Sequence, residues 1–292
     1  MSKSKTKILI AESLDFSRDV YNYLSEYADV YTKDPTKINL GKDFTSYDIF
    51  WFRLGFKIDK KLIETPERRV SIVVCPVTGL DHIDVETCEM NSIKVLSLKG
   101  ETIFLKEVRA TAELTIGLIL NLLRNLPAAI ESVKNDIWNR DLFRGYEIYG
   151  KTVGIIGMGR LGTIVSEILF SFGAKVIGFD IKKKVVKNVK MVDSLIELVR
   201  SSNIVSVHID YNEKNHHVLD GTFFSAFNKN SIFINTSRGA LVDEKALLDS
   251  LLNGHLIGAA VDVIDGEHNH DENKLIKYAK KNKNLLISPH IG

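Results

Sequence analysis

At 292 residues the chain is long enough for two domains that each bury a core of their own. With 45% hydrophobic and 26% charged residues and a formal net charge of +2, it reads as a soluble globular protein with no global pull toward nucleic acid or a membrane. MSKSKTK has no apolar core behind it long enough for a signal peptide, and Cys75 and Cys88 make no metal or disulfide framework, so a reducing cytoplasm is expected.

In chain order, residues 7–11 form a short apolar strand and residues 16–27 an amphipathic helix. Residues 47–52, 70–75 and 93–98 repeat the strand pattern, with helical segments between them. This alternation predicts a first parallel α/β domain over residues 1–100, flavodoxin-like in size. Gly100 and Glu101 break the pattern. Residues 102–125 then read as one long helix, ended by Pro127, that connects two domains. The greasiest run, 114–123, is interrupted or ended by Asn121 and Arg124 well short of a membrane span, and reads as a helix buried between domains or subunits. Residues 138–150 form a shorter polar-aromatic link.

The stretch KTVGIIGMGRLGTIVSEILFSFGAKVIGFD, residues 151–180, organises the second domain. Residues 153–156 are an apolar, β-branched run suited to a buried parallel strand. After Gly157-Met158-Gly159-Arg160-Leu161-Gly162, the apolar residues Leu161, Val165, Ile168, Leu169 and Phe172 recur at helical spacing. Gly173 stops that helix, and a second strand over 175–179 ends in Asp180. Each part suits a dinucleotide. Gly157 allows the sharp turn, Gly159 lets backbone approach a pyrophosphate, Gly162 lets helix pack on strand, and the helix N-terminus offers N–H groups and a positive dipole end. Asp180, 18 residues after Gly162, stands where a carboxylate accepts both ribose hydroxyls and repels a 2′-phosphate, which selects NAD over NADP. Lys182, Lys183 and Lys184 read as a solvated loop. A helix over 194–200, strands over 204–208 and 231–235, a helix over 243–252 and strands over 257–263 and 285–288 complete the domain, which spans residues 101–292.

In open parallel sheets ligands sit outside the carboxyl ends of the strands. Three ionisable residues qualify. Arg238 has the planar fork that clamps a carboxylate, against a plainer role in capping its own loop. His290, aimed by Pro289, can exchange a proton near neutral pH, although a histidine after a strand is more often structural. Glu267 is suited to hold one tautomer of a neighbouring imidazole.

NTSRGALVDEKALLDSL, GAAVDVIDGE and SPHIG, arranged behind GIIGMGRLG, resemble the D-isomer-specific 2-hydroxyacid dehydrogenases, a family that includes 3-phosphoglycerate dehydrogenases. The likeness runs from about Val70 to the last residue. It implies an α/β fold of two parallel-sheet domains: a flavodoxin-like substrate or lid domain, and a Rossmann NAD-binding domain that includes the linker helix 102–125. The implied activity is reversible hydride transfer between NAD(H) and a small 2-hydroxy or 2-keto acid, with D-glycerate derivatives first, because Glu101, Arg140 and Arg144 resemble the phosphoglycerate-dehydrogenase-like branch. A plainer account of Arg140 and Arg144 is a charged linker. On this resemblance Arg238 binds the substrate carboxylate, His290 is the general acid and base, and Glu267 is its partner. Gly157, Gly159, Arg160, Leu161, Gly162, Asp180, His208, Thr236, Asp262 and Gly292 line the cofactor, with Asp262 at the nicotinamide carboxamide. Val77, Thr78 and Gly79 offer backbone to the substrate, and Arg53 is a candidate second anion contact.

The chain departs from the family pattern in several places. Cys75 stands where many members place arginine, Val77 where they often place glycine, and Asp210 where proline is usual after His208. The loop Asp265-Gly266-Glu267-His268-Asn269-His270-Asp271 carries a His-x-His that could hold zinc or nickel. A solvated polar loop is the stronger reading, since Glu267 is better employed beside His290, so no metal is expected. Relatives continue past His-Ile-Gly with a helix that returns to the first domain, so either a tail is omitted here or the lid lacks a support. The resemblance also implies a homodimer through the 102–125 helix, with Glu113 a paired structural acid. A rival reading is an NAD(H)-sensing binding protein of the C-terminal-binding-protein corepressor type, with little or no turnover.

Overall fold

Short β-branched runs bounded by turn residues become strands wherever the sequence predicts them, and the computed structural model describes residues 5–14 and 16–292, except the side chains of His268 and Asn269. The strands are β1 (Thr6–Ile10), β2 (Ala28–Thr32), β3 (Ile49–Trp51), β4 (Ile72–Cys75), β5 (Lys94–Ser97), β6 (Thr152–Ile156), β7 (Lys175–Phe179), β8 (Val189–Met191), β9 (Ile204–Val207), β10 (Ser231–Asn235), β11 (Leu256–Val261) and β12 (Leu285–Ile287). They form two sheets, both parallel throughout, so the α/β fold of two parallel-sheet domains holds.

The chain divides into two compact units, 1–105 and 106–292. In the first unit the strand order is β2-β1-β3-β4-β5, the flavodoxin order, and one core gathers Phe44, Phe50 and Phe52 with Leu9, Val73 and Cys75. The second unit has the order β12-β11-β10-β9-β6-β7-β8, a Rossmann sheet with one further strand beyond β11. Its cores lie on the two faces of the sheet. Alternate residues of β9 show the split, because Val205 and Val207 pack into one and Ile204 into the other.

Two strands escape the sequence reading. β2 follows its helix directly, with Ala28 as both helix cap and first strand residue, so no glycine or proline marks the change. β8 is a three-residue edge strand, too short for a period to show.

The stretch predicted as a single helix over 102–125 is broken. It forms helices Thr102–Leu105 and Ala110–Leu123, and the carbonyl of Val108, freed by the break, accepts from Arg160 Nη1 at 2.5 Å. Pro127 does not end that helix. It sits in the first turn of another, Leu126–Lys134, where its missing N–H costs nothing, and the two helices meet at a 65° bend at Asn125 (φ +52°). Much of the apolar run 114–123 is covered within its own unit. Ile116, Ile119 and Leu123 pack on the second unit's own sheet, where Leu122 Cδ1 would lie 2.9 Å from a Cβ added to Gly258. Among the described residues no single helix is long and apolar enough to cross a membrane.

The turn between β6 and the Arg160–Ser171 helix rests on two close approaches. Gly157 has φ +91°, and an added Cβ at Gly162 would stand 1.9 Å from the carbonyl oxygen of Gly157. Because that neighbour is backbone, Gly162→Ala is expected to lower stability by about 2 kcal/mol or more, read as a lower urea midpoint at unchanged m value.

Candidate active site

The carboxyl ends of β10, β11 and β12, neighbours in the sheet, carry the three ionisable residues singled out in the sequence. Asn235, the last residue of β10, is 1% exposed and closes the turn that follows. Its Oδ1 accepts from the Ser237 amide at 3.0 Å, and its Nδ2 donates to the Arg238 carbonyl at 2.9 Å. Arg238 is half-buried, and its Nη1 donates to the Ser237 carbonyl at 2.8 Å. Backbone packs tightly just beyond it, since a Cβ on Gly239 would lie 1.9 Å from the carbonyl carbon of Ile264. Asn235 is a positioning residue the sequence reading missed. Its only sequence signal was its place at the head of NTSRG.

His290 follows β12 in a left-handed conformation, φ +52°, unusual for a non-glycine residue. Asp262, 1% exposed at the end of β11, imposes it. The Asp262 carbonyl accepts from the His290 amide at 2.8 Å, and the carboxylate accepts from Ser288 Oγ at 2.5 Å, the Ile291 amide at 3.1 Å and the Gly292 amide at 2.9 Å. Asp262 and Gly292, both expected along the cofactor, are thus bonded to each other. The imidazole Nδ1 of His290 lies 2.7 Å from Glu267 Oε2. A carboxylate only accepts, so Nδ1 carries the proton and Nε2 is left as the basic nitrogen. Both side chains keep a route to solvent, 19% exposed for His290 and 34% for Glu267.

The dinucleotide segment has the features such a ligand needs. The Arg160–Ser171 helix begins at Gly159 with no side-chain cap, so Arg160, Leu161 and Gly162 stand at its open N-terminus, and a Cβ added to Gly159 would meet no atom within 4 Å. Asp180 lies just past β7. Its Oδ2 accepts from the Met158 amide at 2.9 Å and from Lys184 Nζ at 3.3 Å, and its Oδ1 accepts from the Lys182 amide at 2.9 Å. Burial pushes this carboxyl up, but those donors outweigh it and hold the group below the usual carboxylate range. The lysine run is therefore not a plain solvated loop, because Lys184 also donates to the Met158 carbonyl at 3.0 Å. These groups fit an NAD: a place for a pyrophosphate on the glycine turn and an ionised acid for a ribose.

Thr236 is 7% exposed, and its hydroxyl pairs with Thr115 Oγ1 at 2.8 Å. Thr115 already donates to the Thr111 carbonyl, so Thr236 is the donor in that pair. In the first unit, Arg53 and Val77 follow the adjacent strands β3 and β4. Arg53 is exposed, its carbonyl accepts from His82 Nε2 at 2.9 Å and Cys75 Sγ at 3.0 Å, and its amide donates to Glu12. Val77 and Gly79 are half-buried and Thr78 exposed, with the Val77 amide turned back to the Cys75 carbonyl at 2.8 Å. Cys75 is no anion ligand, since burial pushes its thiol up to about 12. Arg144 pairs with Asp141 on the surface at 3.3 Å, as a charged linker would, and Glu113 is exposed. In the His-x-His loop, His270 is exposed beside the Glu267 carbonyl, and the His268 side chain lies outside the described residues.

A family model described as the NAD-binding domain of the D-isomer-specific 2-hydroxyacid dehydrogenases matches residues 116–292. The chain belongs to that family. It is 33% identical to a D-3-phosphoglycerate dehydrogenase of Methanocaldococcus jannaschii, over 98% of this chain and 53% of that one, so it spans about half the length of that relative. It is 31% identical to a hydroxypyruvate reductase of Thermotoga maritima, over 91% of this chain and 85% of that protein. Among solved structures, an acyclic imino acid reductase in complex with NADPH and D-Arg superposes with a TM-score of 0.82 at 28% identity, covering 98% of this chain and 89% of that one.

His208, on the family resemblance a cofactor neighbour, has only one of its two ring nitrogens paired among the described residues. Its Nε2 pairs with Ser206 Oγ at 2.9 Å, while the buried Nδ1 has no partner among the described residues. Charging it would bury a cation beside an unmet donor, and burial lowers its pKa from 6.5 to about 4. The unfolded chain takes up that proton near 6.5, so this contribution to stability is complete above pH 6.5 and is lost as pH falls toward 4. His208→Gln is therefore expected to remove about 2 kcal/mol of the stability difference between pH 7 and pH 5, measured by urea unfolding at both values.

Proposed function

We propose that the chain is an NAD-dependent D-2-hydroxyacid dehydrogenase whose substrate is a small 2-hydroxy or 2-keto acid of the D-glycerate or 3-phosphoglycerate type. The observation that carries this reading is the 2.7 Å contact between His290 Nδ1, after β12, and Glu267 Oε2, after β11, the neighbour of Arg238's strand β10. Relatives named for phosphoglycerate, hydroxypyruvate and glyoxylate support the substrate class. Residues 1–100 act as the substrate domain and 101–292 as the NAD-binding domain.

NAD, held by the Gly157–Gly162 turn and Asp180, supplies the hydride acceptor or donor. Arg238 binds the substrate carboxylate through its guanidinium fork and draws electron density from the neighbouring carbon. His290 Nε2 accepts the proton of the 2-hydroxyl during oxidation and returns it to the carbonyl oxygen during reduction. Glu267 keeps the ring in the tautomer that leaves Nε2 basic, and neutralises the imidazolium once the proton has moved. Two buried, free cysteines suit a reducing cytoplasm.

The active unit is a homodimer. Ile130, Val133, Trp138, Leu142 and Tyr149 are each at least half exposed, with Trp138 at 89%, and such a run of large apolar side chains calls for a partner. Light scattering is expected to give twice the chain mass of 32.9 kDa, and Trp138→Glu with Ile130→Asp to give the monomer.

Turnover of NADH with a panel of 2-keto acids tests the enzymatic reading. His290→Ala should cut kcat by roughly 10²–10⁴-fold, with Glu267→Gln intermediate, while NADH affinity stays within a few-fold. NADH binding with no turnover on any 2-keto acid would defeat the proposal.

A further inference from the structure

Away from His290, two loops 48 residues apart bring a second set of metal-capable side chains together. A short turn, Glu213–Asn215, is closed at its start by reciprocal bonds between Asn212 and Asn215. It delivers His216 and then His217, whose left-handed backbone (φ +51°) is tied to the Ala240 carbonyl at 2.9 Å. The two imidazoles stack with centroids 3.8 Å apart. Asp265, after β11, meets them, with its Oδ2 3.2 Å from His217 Nε2. One ligand atom from each of the three residues lies within 4.8 Å of the other two.

We propose that His216, His217 and Asp265 bind a divalent cation of the zinc class, at a site separate from the His290–Glu267 pair. Two imidazoles and one carboxylate, with water in the fourth position, suit a borderline ion that prefers nitrogen and oxygen donors in a tetrahedron. Ligands about 2.0–2.1 Å from a tetrahedral ion stand roughly 3.3 Å apart. The His217–Asp265 edge already has that length, and His216, exposed, stacked on His217 and 3.4 Å from Tyr211 Oη, stands beside it as the third ligand.

The surroundings favour a cation. Behind Asp265 lies the half-buried carboxylate of Glu244, which accepts from the Asp265 amide at 2.8 Å and from Asn273 Nδ2 at 2.7 Å. An ion bound here also ties the His216–His217 loop to Asp265, and Gly266 alone separates Asp265 from Glu267. Binding therefore fixes the turn that supplies the partner of His290. That last consequence rests on the proposed catalytic role of the pair; the site itself does not.

The test uses the tag-free full chain, zinc(II) in titration calorimetry and cobalt(II) in visible absorption, so no readout depends on turnover. One ion per chain is expected, with micromolar affinity and the absorption of four-coordinate cobalt. A hundredfold excess over Kd should raise Tm by about 5 °C. His216→Ala, Asp265→Asn and His217→Asn, the last chosen because asparagine tolerates the left-handed backbone, should each weaken binding by at least about tenfold. His290→Ala should bind as the unaltered chain does. Equal binding by the unaltered chain and His217→Asn, loss of binding in His290→Ala, or no saturable binding would each overturn the proposal.

Discussion

The buried carboxylate of Asp262 is the fixed point of the candidate active site. Ser288, Ile291 and Gly292 all donate to it, and the carbonyl of the same residue takes the His290 amide. A carboxylate sealed from water at 1% exposure must have its lone pairs met, and here one short turn meets them. The turn that does so holds His290 left-handed, with the imidazole against Glu267. Glu267 thus sets the tautomer of His290, and the buried acid Asp262 sets where the ring stands.

The same economy of contacts governs the nucleotide segment. The helix after β6 can sit on its strand only because Gly162 has no side chain, and that close packing leaves its open N-terminus at the glycine turn. Asp180 then joins the turn to the end of β7 by taking the Met158 amide, while Lys184 bridges the Met158 carbonyl and the acid. Two backbone donors and Lys184 thus fix the carboxylate in place just past β7.

Glu267 and Asp265 share one turn but face different neighbours, His290 for the first and His217 for the second. That turn leaves β11, whose last residues sit between β10 and β12 in the sheet. Placing three strand ends side by side is what lets a guanidinium, a carboxylate and an imidazole from distant parts of the chain belong to one region.

Much of this was written in local sequence. Period-two and period-3.6 patterns marked ten strands and the helix behind Gly159, because burial on one or both faces forces those periods. The glycine spacing and Asp180 were legible because steric constraints on a turn act over a few residues. The edge strands β2 and β8, the break at 106–109 and the bend at Asn125 were not, since neighbours distant in sequence or weak local signals decide them. Nor could the chain text reveal that Asp262 holds the His290 turn, that Asn235 closes the Arg238 turn, that Lys184 leaves solvent for Asp180, or that His216 and His217 meet Asp265. Local pattern specifies which residues face inward; only the packed sheet sets which polar group each of them finds.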